Sequence, residues 1–156
     1  MNNGLRSDFV KRIASLCLTN KLHVLPCDYF AQIEEMKSGD SYILNLDRST
    51  QRGSHYIGLY FSPTDVLYFD QLGFPLVNSD IKNGLLEHGV TEITYSKKNI
   101  QCGISFHCGV FVIAFHIICV AKGKSMDDFI SLFSDYDFRQ NEKIATNIIV
   151  NQLRDL

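Results

Sequence analysis

The sequence predicts an α+β fold, a central mixed β-sheet packed by helices, on three observations. Short β-branched and aromatic runs crowd the middle of the chain, and apolar residues recur at helical spacing on either side of them. A single stretch near residue 115 is almost wholly apolar, as a helix buried on all sides would be. With 156 residues the chain can bury about 70% of its unfolded surface, enough for one core without metal or disulfide staples. Its three prolines are scattered, and no repeat or Pro/Gly/Ser-rich linker marks a boundary, so residues 1–156 read as one domain.

The elements follow in order. Phe9, Val10, Ile13, Leu16 and Cys17 line one face of a first helix, with Ser7 as its cap and a stop near Asn20. Residues 42–46 (YILNL), 55–61 (HYIGLYF) and 66–70 (VLYFD) read as adjacent strands, the last two joined as a hairpin through the turn at 62–65 (SPTD). A short helix capped by Ser79 runs to about His88, Gly89 suits its stop, and residues 91–95 form another strand. Residues 109–122 give the central buried helix, closed by Gly123. Residues 126–133, through Phe129, Ile130, Leu132 and Phe133, and residues 141–153, through Ile144, Ile148, Ile149 and Leu153, complete the chain as helices.

Composition excludes several classes. A formal charge of −2 provides no global basic field, which disfavours nucleic acid as an obligate partner. The longest apolar run, 108–121, is short of the ~20 residues a bilayer span needs and contains His116, so a membrane role is not expected. Residues 1–7 lack a signal-peptide core, and the five cysteines show no framework spacing, so a soluble, reduced, intracellular protein is expected. Cys102, His107, Cys108, His116 and Cys119 contain no CxxC pair or other zinc pattern; neither metal nor cofactor is expected. Cys17, Cys27 and Cys119 read as buried small apolar residues.

Four residues stand where chemistry could gather. His55 opens one strand, Asp70 closes the next, and Cys108 begins the buried helix. Pairing of the two strands would bring the imidazole and the carboxylate to one sheet edge, where the start of the helix could present the thiol. Such a set has a chemical logic: the thiolate attacks, the imidazole takes its proton, and the carboxylate fixes the ring. A helix start lowers a thiol pKa through its dipole and its unpaired N–H groups. Gln101, seven positions before Cys108, is near enough to offer an amide donor to an oxyanion. Cys102-Gly103 is a second Cys-Gly, but it lacks an upstream glutamine and does not open the apolar helix, which favours Cys108. His107 adjoins the nucleophile and is assigned to solvent or substrate contact.

The strings 42–47 (YILNLD), 53–58 (GSHYIG), 67–73 (LYFDQLG), 99–101 (NIQ) and 105–111 (SFHCGVF) resemble the adenain-like cysteine proteases. These are viral maturation enzymes typified by the adenovirus protease, with relatives in large DNA viruses, virophages and Polinton-type elements. The SUMO-deconjugating proteases are more distant cousins. The order His, acid, Gln, Cys-Gly carries the likeness across roughly residues 38–116. It implies a cysteine-protease fold of the adenain and ubiquitin-like-protease type, with His55 as general base, Asp70 as orienting acid, Gln101 as oxyanion donor and Cys108 as nucleophile. Asp70 agrees with the cellular branch, since adenain has glutamate there, whereas the Gln101 to Cys108 spacing matches adenain. Tyr56 stands where the family usually has tryptophan, which alters the adjoining wall.

The resemblance further implies an endopeptidase that cleaves capsid or core precursors after small residues, in Gly-x or Gly-Gly contexts, during virion maturation. Its partner is then a protein substrate, with an activating peptide left open, and its location the virion and the host cytoplasm or viral factory. Two readings compete: a protease that removes ubiquitin or SUMO-like modifiers, and a non-catalytic binding module of this fold.

Overall fold

The computed structural model describes residues 7–17, 22–51, 55–102 and 108–155, without the side chains of Ser7, Phe9, Cys17 and Cys108. A five-stranded sheet forms the centre, in the spatial order β1 (Leu22–Pro26), β2 (Ser41–Asn45), β3 (Tyr56–Phe61), β4 (Val66–Phe69), β5 (Thr94–Tyr95). The outer pairs β1/β2 and β4/β5 are parallel and the inner pairs β2/β3 and β3/β4 antiparallel, so the sheet is mixed. Helices cover both faces.

Side chains on a strand alternate between faces, and the two cores follow that period of two. Ile43, Tyr56, Leu67 and Phe69 face one core, where they meet α1 (Ser7–Cys17), α4 (Cys108–Phe115), α5 (Met126–Ile130) and α6 (Phe138–Arg154). Tyr42, Leu44, Ile57, Leu59, Phe61 and Tyr68 face the other, where Cys27 and Phe30 of α2 (Cys27–Phe30) and Ile81 and Leu85 of α3 (Ser79–Glu87) pack on them. Gly58 interrupts the first face because α4 lies on it. A Cβ there would come within 2.8 Å of the Phe115 ring and 3.2 Å of the His116 ring.

Several boundaries differ from the sequence reading, each for a local reason. β1 and the single turn α2 were not anticipated: Leu22-His-Val-Leu-Pro26 is short and ends on a proline, and it is a strand through its parallel pairing with β2. The cap of α3 is Asn78 rather than Ser79, because the Asn78 side chain accepts from the Ile81 N–H at 3.0 Å and also donates to the Leu46 carbonyl. α1 is helical to Cys17, the expected stop near Asn20 falling outside the described residues, and α3 runs to Glu87 with Gly89 at φ +78°. β5 pairs with β4 through two residues only, shorter than 91–95. The expected helix 126–133 closes at Ile130, whereas α6 begins before residue 141, at Phe138, capped by Asp137.

The central helix is the largest departure. Regular α-helix stops at Phe115 and continues as a π-helical segment, His116–Ala121, in which the Lys122 N–H reaches back five residues to the Ile117 carbonyl. Its burial agrees with the sequence, since residues 111–117 are all enclosed.

Candidate functional site

The antiparallel register of β3 and β4 brings His55 and Asp70 together at one end of the sheet. His55 immediately precedes β3, and its carbonyl accepts from the Leu46 N–H at 2.9 Å, which ties it to the end of β2. Asp70 immediately follows β4. Its Oδ1 lies 3.0 Å from His55 Nε2 and also accepts the Leu72 N–H at 2.9 Å. The Gly73 N–H donates to the Asp70 carbonyl, closing a tight turn. Gly73 is required there: its φ is +78°, and a Cβ would fall 2.5 Å from the Lys97 carbonyl oxygen.

The Asp70 side chain is only 4% exposed and that of His55 19%, so the carboxylate is shielded while the ring keeps access to solvent. An ionised carboxylate accepts only, which puts the His55 proton on Nε2 in the neutral ring. Nδ1 is then the basic nitrogen. The pair can therefore take up a proton on one side of the ring while Asp70 compensates the charge on the other.

Gln101 lies in the loop after β5, and its side chain is buried. The loop is held from two directions. The Ile100 N–H donates to the Gln71 carbonyl at 2.9 Å, and Asn141 Nδ2 of α6 donates to the Ile100 carbonyl at 3.0 Å. Asn141 is fully enclosed and also joins Ser134 through its N–H and its carbonyl. The turn that carries Asp70 and the loop that carries Gln101 are thus hydrogen-bonded neighbours.

Cys108 is the first residue of α4, where helix N–H groups lack intrahelical acceptors. Its side chain lies outside the described residues, as do His107, Ser105 and the turn at 52–54. The structure brings His55, Asp70 and the Gln101 loop together and sets the Cys108 backbone at the start of the buried helix.

The remaining candidates sit elsewhere. Cys102 is half-buried beside Gln101 and belongs to no helix. Cys27 is buried on the α2–α3 face with its thiol 3.3 Å from the Leu46 carbonyl, and burial raises its pKa, with Asp80 adding to the rise. Burial pushes the Cys119 thiol up to about 12. Neither is a ready nucleophile. His116 is enclosed, donates through Nδ1 to the Val112 carbonyl at 2.9 Å, and is pushed down to about 4 by burial, so it stays neutral near pH 7. Among the described residues no three His, Cys, Asp or Glu side chains are grouped to hold a metal ion, and no helix is long and apolar enough to cross a membrane.

Two further residues hold the site, Asn141, whose partner lies 41 positions away, and Gln71. Neither carries a motif of its own. No family model matches the sequence, and no curated protein matches it.

Proposed function

We propose that this protein is a cysteine endopeptidase of the adenain-like type, with Cys108 as nucleophile, His55 as general base and acid, Asp70 as the orienting carboxylate and Gln101 as an oxyanion donor. The observation that carries the reading is the 3.0 Å contact of His55 Nε2 with the buried Asp70 carboxylate. A surface imidazole gains little from a carboxylate, but a half-shielded ring held by a buried one is fixed in tautomer and direction.

The reaction follows from that arrangement. His55 Nδ1 takes the Cys108 thiol proton, and the thiolate, favoured by the helix start, attacks the scissile carbonyl. The oxyanion is met by the Gln101 amide and the Cys108 N–H. The tetrahedral intermediate collapses as His55 protonates the leaving amine, leaving a thioester. Water, deprotonated by His55, attacks the thioester carbonyl, and Cys108 leaves as the acid product is released. The resemblance supplies the substrate class: capsid or core precursors cut after small residues, in Gly-x or Gly-Gly contexts, during virion maturation.

The test compares Cys108→Ala with Cys102→Ala on a short glycine-containing peptide and on a folded ubiquitin-like fusion bearing the same cleavage sequence. Cys108→Ala should abolish cleavage and Cys102→Ala retain most of it. Limiting iodoacetamide should alkylate Cys108 first. A dead Cys102→Ala variant, or labelling of Cys102 ahead of Cys108, overturns the nucleophile. Preference for the folded fusion by several orders of magnitude overturns the maturation reading in favour of deconjugation, because a deconjugating enzyme draws binding energy from the modifier's surface.

A further inference from the structure

β4 leaves the sheet before β3 does, and one side chain bridges the gap. Successive carbonyls on a strand point to opposite sides. The His55 carbonyl is taken by Leu46 on the β2 side, so the Tyr56 carbonyl faces β4. There the ladder ends at the pair Gly58–Phe69, although the same register carried two residues further would set Gln71 opposite Tyr56. Gln71 meets that carbonyl with its side chain instead: Nε2 donates to it at 3.2 Å.

The substitution of side chain for backbone turns the Gln71 carbonyl toward the next loop, where it accepts the Ile100 N–H at 2.9 Å. Gln71 therefore contacts the residue after His55 and the residue before Gln101, and is itself bonded to Asp70. Its exposure is 0%. Its amide oxygen, Oε1, is enclosed with no hydrogen bond among the described residues, so what the side chain contributes is the donor.

We propose that Gln71 is a positioning residue, one that sets the His55–Asp70 pair and the Gln101 loop in a fixed relation for catalysis. The proposal rests on the protease reading above. Without the donor, the hydrogen bond that ties the turn of Asp70 to β3 is lost where that turn departs, and the turn can shift against β3. A displacement of about 1 Å at reacting groups is enough for about a 10²-fold loss of rate.

The experiment uses two variants of the full chain and the glycine-containing peptide. Gln71→Met keeps length and volume but removes the donor. Gln71→Glu keeps the shape and donates to the Tyr56 carbonyl only while its carboxyl is protonated. We expect Gln71→Met to lose about 10²-fold in kcat with KM changed less than about twofold, in protein shown folded by its melting transition. The kcat of Gln71→Glu relative to the wild type should be higher at about pH 6, where the protonated carboxyl can donate, than at about pH 8. A merely structural role would leave that ratio flat. Wild-type cleavage with Gln71→Met within about threefold of it, or a flat Gln71→Glu ratio, overturns this proposal alone. A wild type that neither cuts the peptide nor is alkylated at Cys108 overturns the protease reading, and this proposal with it.

Discussion

β4 is bracketed by two aspartates, Asp65 before it and Asp70 after it, and the two do different work. Asp65 sits in the exposed turn between β3 and β4. Its carboxylate takes the hydroxyls of Ser62 at 2.7 Å and Thr94 at 2.8 Å, and these hydrogen bonds, Ser62 first, hold it below the usual carboxylate range. Asp70 is enclosed and faces an imidazole and a backbone N–H. Residue type and position at a strand end are the same. The partner decides: neutral hydroxyls in water make a carboxylate close a turn, whereas a titratable ring at the sheet edge makes it an orienting group.

The sharpest way to break the comparison is to remove each charge in turn. Asp70→Asn should lower kcat by roughly 10²- to 10⁴-fold, because an amide no longer enforces the Nε2–H tautomer or compensates the imidazolium. Asp65→Asn should leave kcat within about twofold, since nothing it touches reaches the site. Peptide-cleavage kinetics on both variants check this. Equal losses would make Asp70 another turn aspartate and remove the main support for the proposed mechanism.

The two ends of the sheet also differ in how their polar groups are secured. At the turn end, Ser62, Thr64 and Asp65 bond one another near solvent, which can replace any lost partner. At the site end, the enclosed Asn141 side chain holds Ile100 and Ser134 through three hydrogen bonds, the one to Ile100 buried and the two to Ser134 partly buried. Asn141→Ala strands all three backbone groups, and should cost about 3 kcal/mol of stability, or roughly 6–12 °C in Tm. Thermal or denaturant unfolding measures it. A loss below about 1 kcal/mol would mean that water replaces the amide and that the Gln101 loop is not secured from α6.

What could be read in the sequence divides along the same line. The β-branched and aromatic runs at 42–46, 55–61 and 66–70, with the turn at 62–65 between the last two, mark β2, β3 and β4 as adjacent strands and the last two as a hairpin, whereas which residues share a face emerges only from the two cores. The meeting of His55 and Asp70 followed from that pairing. Asn78 and Ser79 are both good caps, and the choice fell to Asn78 through its reach to Leu46, a tertiary contact. The π segment has no local signature, because a wider turn changes hydrogen bonds without changing apolar content. Gln71 and Asn141 were illegible for the same kind of reason: each acts on backbone groups of distant residues, and backbone groups leave no mark in a sequence.

The smallest expected effect sharpens the comparison from its weaker side. The Asp65 carboxylate has a folded pKa lowered by Ser62 and Thr94, so its ionised form is the one that the fold favours. The unfolded chain then binds a proton more readily than the folded one as pH falls, and the stabilisation, present above the ordinary carboxylate pKa, is lost as pH drops through the lowered folded value. At neutral pH, Asp65→Asn should therefore be less stable than the wild type by less than about 1 kcal/mol, since the hydroxyl hydrogen bonds it weakens lie near solvent. Below about pH 4 the two stabilities should draw together, because the wild-type carboxyl has taken up its proton and lost the advantage. Denaturant unfolding of both proteins across that range measures the gap. A gap that stays constant into acid would show that Asp65 supports its turn through shape and not through charge, and would remove the contrast between a charged turn group and a plain hydrogen-bond acceptor.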